Sequence, residues 1–170
     1  MWRLTDDYPG AVQALQEALG LYRDLGDRLG QANALTYLGS VRRLTGDYPG
    51  AVQALQEALG LCRDLGDRGG EAEALNEVGT LHRVRGDLSA AGTCHRQALD
   101  LAREIGSSWD EAHALAGLGR CALAVGRTAD AEARLRQARE IFQRIGAAEA
   151  SGVSAELDAL TTASPATQGS

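Results

Sequence analysis

The stretch DYPGAVQALQEALGL, residues Asp7–Leu21, returns letter for letter as Asp47–Leu61. A catalytic centre needs one set of groups in one place, whereas duplication at a fixed step is what stacked units need. Extended in both directions, Arg3–Arg28 overlays Arg43–Arg68 with differences only at Asp6/Gly46 and Tyr22/Cys62. Two looser copies follow: RGDLSAAGTCHRQALDLAREIG begins at Arg85, and VGRTADAEARLRQAREIFQRIG begins at Val125. Glycines keep the register at Gly26, Gly66, Gly106 and Gly146, and again at Gly46, Gly86 and Gly126, always 40 residues apart.

Inside each copy the apolar spacing is helical. Ala51, Leu55, Ala58, Leu59 and Leu65 fall on one face of a helix. Asp47 and Asp87 are placed to cap such helices, and Pro49 sits in a first turn, where its missing N–H costs nothing. Gly66 is placed to stop the helix in the left-handed conformation that glycine tolerates. A second helix runs from near Arg68 through Ala74, Leu75, Val78 and Leu81 to Gly86. In the next copy Ser108, three residues before Glu111, reads as a capping box. The spacing therefore predicts helical hairpins, each helix about 15 residues or about 22 Å long.

The bulk composition is that of one ordinary soluble domain. Of 170 residues, 44% are apolar and only 4% aromatic, so the core must be built from leucine and small residues with helices packed close. No apolar run approaches the ~20 residues of a membrane helix. A net charge of -6 argues against nucleic acid as a direct partner. All 17 basic residues are arginine. Cys62, Cys94 and Cys121 are too few and too far apart for a disulfide framework or a zinc site, which fits a reducing, cytoplasmic setting.

Leu35-x-x-Leu38-Gly39 followed by Ala51-x-x-x-Leu55-x-x-Ala58 resembles the tetratricopeptide repeat signature. The skeleton returns as Leu75-x-x-Val78-Gly79 with Ala91 and Ala98. It returns again as Leu115-x-x-Leu118-Gly119 with Ala131-x-x-x-Leu135-x-x-Ala138. The resemblance covers residues 3 to about 146. It implies an all-α, right-handed solenoid of about three and a half hairpins, in which Gly39, Gly79 and Gly119 let the two helices touch and Ala51, Ala91 and Ala131 receive that contact. The repeat is longer than the usual 34 residues, and Arg42, His82, Ala122 and His95 stand where the family often carries aromatics. The long variant resembles the repeats of cell-polarity adaptors that cradle extended peptides. It is also similar to the C-terminal repeat arms of bacterial signal-transducing ATPases and transcription regulators.

The register divides the chain into a partial unit at 1–26, units at 27–66, 67–106 and 107–146, a cap helix at 147–160 and a disordered tail at 161–170. Trp2–Asp6 overlays Arg42–Gly46, the last turn of a helix whose body is missing, so the chain reads as a fragment cut inside a repeat. The cut predicts an uncovered helix face at the N-terminal end, and a homodimer formed through it.

No phosphate loop, HExxH or GxSxG motif is present. Cys94-His95 and His113 invite a metal or nucleophile reading. However, His95 occupies the position of Leu15, Leu55 and Leu135, Cys62 replaces Tyr22 and Cys121 replaces Leu81, so the histidine and all three cysteines are read as packing residues. No catalytic residue, cofactor or metal is expected. In the resembled family the first helix of each hairpin lines a concave groove, which here places Asn33, Thr36, Tyr37, Ser40 and Arg43 on it. Their counterparts are Glu73, Asn76, Glu77, Thr80 and Arg83, then His113, Ala116, Gly117, Arg120 and Leu123. By the same resemblance Asn33 and Asn76 would hydrogen-bond the backbone of an extended peptide. Arg43, Arg83 and Arg120 form a basic row suited to carboxylates, hence to an acidic partner. A solvated polar face would look the same in sequence. The expected function is binding of an extended partner segment, with a sensory or autoinhibitory arm of a larger regulator, or a self-association scaffold, as alternatives.

Overall fold

In the computed structural model, which describes residues 7–163, each glycine of the 20-residue punctuation closes one helix just before the next begins. The helices are α1 (Tyr8–Asp24), α2 (Arg28–Leu44), α3 (Tyr48–Leu65), α4 (Arg68–Val84), α5 (Leu88–Ile105), α6 (Ser108–Ala124), α7 (Thr128–Arg144) and α8 (Glu149–Ala163). Gly66 and Gly106 adopt φ of 68° and 73°, left-handed values that a side chain would strain. The aspartate that follows such a glycine then caps the next helix. Asp27, Asp47, Asp67 and Asp87 each accept from the backbone N–H three residues on, at 2.9–3.1 Å. Gly-Asp is thus a compact stop-and-start signal, and it sets the period.

The start of α6 corrects one expectation. The cap is Ser107, whose Oγ accepts from the Asp110 N–H at 3.3 Å and donates to the Asp110 carboxylate at 2.6 Å. Ser108 is already inside the helix, and Glu111 is turned outward to Arg103 at 2.9 Å. Ser107 stands 40 residues after Asp67, so the repeat register outranks the local pattern of Ser108 and Glu111. α7 starts at Thr128, and Arg127 at its cap position makes no side-chain capping bond.

Sequential helices pack as antiparallel neighbours, with α2 on α3, α4 on α5 and α6 on α7 making the broadest contacts. A second set of contacts joins α2 to α4 and α4 to α6, with no comparable contact between α3 and α5 or between α5 and α7. The layer whose helices touch lies on the inner side of a curved stack, so α2, α4 and α6 form the inner face. The chain is therefore an all-α solenoid of helical hairpins.

Small residues make this close packing work. Ala51, Ala58, Ala91, Ala98, Ala131 and Ala138 have no exposed surface. A Cβ on Gly39 would lie 2.5 Å from the Leu55 side chain, and one on Gly119 would lie 2.9 Å from Leu135. The nearest partners at these crossings are thus the leucines one turn beyond Ala51 and Ala131, with the Ala131 carbonyl also close, at 3.2 Å from the Gly119 Cβ position. Leu55 and Leu135 are fully buried, and truncating such a leucine to alanine costs roughly 2–5 kcal/mol. Leu65 departs from its expected face: it sits in the last turn of α3 and is 41% exposed.

At the C-terminal end, α8 covers the last hairpin by burying Val153 and Leu157 in the cluster that holds Ile141 and Phe142. It runs through Ala163, so Thr161 and Thr162 belong to the helix, their hydroxyls donating to the Asp158 and Ala159 carbonyls. The remainder of the expected tail lies outside the described residues, as does the overlay of Trp2–Asp6 on Arg42–Gly46.

Candidate functional site

Helical spacing brings three successive inner helices to one cleft of about 200 Å³. α2 contributes Thr36, Tyr37 and Ser40, α4 contributes Glu73, Asn76 and Glu77, and α6 contributes Trp109, Asp110 and His113. Seven of these nine are residues expected on the groove; Trp109 and Asp110 are additions. Tyr37 is 54% exposed and Trp109 44% exposed, a costly display of ring surface in a chain with so few aromatics. Asn33 opens instead into a neighbouring recess with Leu29, Asp67 and Glu73.

The floor of the cleft is a buried polar relay. Asn76, only 7% exposed, donates from Nδ2 to the Asp110 carbonyl at 3.1 Å, and its Oδ1 lies 3.2 Å from His95 Nδ1. Because the amide NH₂ is committed to a carbonyl, Oδ1 must accept, so His95 carries its proton on Nδ1. Its Nε2 is buried without a hydrogen-bond partner. The ring reaches between two glycines: a Cβ on Gly79 would lie 2.8 Å from it, and one on Gly117 would lie 2.3 Å away. Burial, then the charges of Arg83, Arg120 and His113, pushes the His95 pKa down to about 4. The core reading of His95 holds. The peptide-binding role expected of Asn76 meets a different geometry, since both ends of its amide are used to tie α4 to α5 and α6.

A family model described as tetratricopeptide repeat matches residues 3–64 and 70–144. The chain belongs to the tetratricopeptide repeat family. Among solved structures, 57 chains match. One is the crystal structure of BtubC (BKLC) from P. vanneervenii, similar over 92% of this chain and 66% of that one, with a TM-score of 0.77 and 20% identity. At that identity the likeness is one of fold, and this chain spans just under two thirds of that protein. No curated protein matches the sequence.

Around the cleft, the tetratricopeptide scaffold uses most of its arginines internally. Arg43 reaches Glu77 at 3.3 Å and Ser40 at 3.4 Å, joining α2 to α4. Arg120 grips Glu156 of α8 with both ends of its fork, at 3.0 and 2.6 Å. The expected basic row is therefore two-thirds neutralised by the protein itself. Arg83 has neither hydrogen bond nor ion pair among the described residues, and burial, followed by the charges of Arg120 and Arg43, lowers its pKa. Thr80 turns its hydroxyl back to the Asn76 carbonyl at 3.0 Å, and Thr36 does the same to Ala32.

The acidic end of the cleft is electrostatically strained. Glu73 has no ion-pair partner among the described residues; burial, then Asp110, Glu77 and Asp67, raises its pKa. The His113 ring is held near Trp109 and Phe142, at centroid distances of 4.7 and 5.0 Å. Burial lowers its pKa, so at neutral pH it is an uncharged neighbour rather than a counter-ion. The three thiols are pushed the other way by burial, Cys62 up to about 11, which leaves them protonated and unreactive at neutral pH. Among the described residues no group of three or more His, Cys, Asp and Glu side chains is arranged to hold a metal ion. Nor is any described helix long and apolar enough to cross a membrane.

Proposed function

We propose that this chain binds an extended segment of a protein partner along the face formed by α2, α4 and α6. The observation that carries this reading is the cleft itself, a preformed recess to which three consecutive repeats each contribute side chains. Tetratricopeptide repeats are in general protein–protein interaction modules, and a rigid groove limits the ordering cost of binding to the partner. Arg83, the one member of the arginine row left without an ion pair among the described residues, is the group to receive a partner carboxylate. Selection of random peptides displayed on phage tests the reading. The selected peptides should lose at least tenfold in affinity on Tyr37→Ala or Arg83→Ala, and should be indifferent to Gln97→Ala on the outer layer. Binding that ignores both inner-face changes would refute it.

Association of two copies through α1 is a second reading, favoured by the accessibility of Leu15. Its counterparts Leu55 and Leu135 are fully buried, whereas Leu15 is only partly so, because no described helix lies against that face. Sedimentation across a wide concentration range decides this: a dimer abolished by Leu15→Glu supports it, and a monomer throughout rejects it.

A further inference from the structure

The cleft on the inner face is chemically one-sided, and that asymmetry says what kind of group belongs in it. Its wall on α4 carries Glu73 and Glu77, with Asp110 at the start of α6 beside them. Each acid is balanced differently. Glu77 is paired with Arg43 at 3.3 Å. The Asp110 carboxylate is buried and accepts from the Ser107 hydroxyl at 2.6 Å. Glu73 has no hydrogen bond or ion pair among the described residues, and the charges that act on it, Asp110, Glu77 and Asp67, are all of its own sign. Of the remaining ionisable groups at the cleft, His113 is neutral at pH 7, with Glu149, Glu77 and Asp110 around it and Arg120 beyond. The site thus holds a negative charge that the fold leaves uncompensated.

Two further features narrow the counter-ion. Tyr37 from α2 and Trp109 from α6 line the same recess, and both present more than two fifths of their surface to solvent. An exposed aromatic face beside a carboxylate suits an organic cation, which gains from the ring quadrupole as well as from the charge. The acids do not converge in the manner a metal ion requires. Between the two cationic side chains, the flat and weakly hydrated guanidinium stacks on rings and pairs with carboxylates in a fork, which an ammonium does not.

Resting on the reading that a partner segment lies along this face, we propose that the cleft takes an arginine side chain of that segment. The guanidinium lies over Tyr37 and Trp109 and neutralises Glu73. The partner is then not uniformly acidic: it presents an arginine to the Tyr37–Trp109 cleft and a carboxylate to Arg83.

The test uses N-acetyl-arginine amide as probe, titrated into the ¹⁵N-labelled chain while the Trp109 indole and the amides of α4 are followed by NMR. The expected result is a saturable shift at Trp109. Binding should weaken about tenfold with the neutral isostere N-acetyl-citrulline amide, and about tenfold with Glu73→Gln, a change too conservative to unfold α4. Trp109→Leu should weaken it severalfold without altering the response to citrulline. Absence of saturable binding, equal binding of citrulline, or indifference to Glu73→Gln would overturn the proposal, and equal binding of N-acetyl-lysine amide would overturn the choice of guanidinium. Should the displayed peptides still depend on Tyr37 and Arg83 while the arginine probe fails, this inference falls and the groove reading stands. Should the peptides ignore both residues, the groove reading falls first.

Discussion

Replacing His95 by leucine, the residue at the same position in three other copies, should reduce the acid sensitivity of folding between pH 6.5 and 4, leaving the part due to His113. The imidazole is 1% exposed, donates from Nδ1 to Asn76 and has no acceptor at Nε2. A second proton would have to enter at Nε2, between Gly79 and Gly117, where there is no acceptor to receive it. The folded pKa is accordingly about 4, against about 6.5 in an unfolded chain. Between those values the unfolded state binds more protons, so stability falls as pH falls through the window. For one group with these two pKa values the loss is about 2 kcal/mol at pH 5 and close to nothing at pH 7.5. Glu73 and Asp110, whose pKa values are raised, act in the opposite sense, binding protons more readily in the folded state. They are present in both proteins and cancel in the comparison. Urea unfolding followed by circular dichroism at pH 5 and 7.5, for wild type and His95→Leu, gives the four stabilities required. The wild type should lose about 2 kcal/mol more than the variant on going to pH 5. A difference below about 0.5 kcal/mol would refute the neutral, partnerless Nε2 that the reasoning rests on.

Asn76→Ala should destabilise the chain by about 2–3 kcal/mol in the same urea assay, because it removes the tie to Asp110 and leaves the His95 N–H buried without an acceptor. Gly117→Ala should cost about 1–3 kcal/mol in the wild type, where the new Cβ would sit 2.3 Å from the imidazole. In the His95→Leu background the same change should stabilise, by up to about 1 kcal/mol, as alanine outdoes glycine in a helix; no change of sign in the urea midpoints would count against the contact. Ser107→Ala should cost about 1 kcal/mol and speed hydrogen exchange in the first turn of α6 while leaving α4 unchanged.

The helices were legible in the sequence because their boundaries are written chemically. A glycine that must turn left-handed and an aspartate that must cap recur at fixed positions, and neither depends on distant contacts. Where the reading slipped at Ser108, local pattern was preferred to the repeat register that places Ser107 over Asp67. The same register, extended beyond the last hairpin, places Glu156 over Asn76 and Ala116, hence on the inner face where Arg120 grips it; that signal was available. Trp109 stands over Leu29 and Gly69, one turn before His113, and an aromatic at an otherwise variable position was the clue to it. The role of Asn76 was not legible in the same way. Its acceptor is the Asp110 backbone carbonyl, and every residue has one.

The third copy shows why near-repetition carries more information than repetition. In the 40-residue register Leu15 corresponds to Leu55 and His95, and Tyr37 to Glu77 and Gly117. His95 on α5 faces Gly117 on α6. The imidazole occupies the space a Cβ at 117 would need, so the histidine and the glycine form a matched exchange. Two consequences follow from one swap. The ring brings a polar atom to Asn76 and draws that amide into the core. The bare backbone at Gly117 lets α6 close on that ring in the core. A change that reads in isolation as a buried histidine therefore also fixes Asn76, whose neighbours Glu73 and Glu77 line the cleft with it. The two halves of the swap separate experimentally, because the pH dependence of folding reports on the ring and the urea midpoint of Gly117→Ala, with and without His95, reports on the contact.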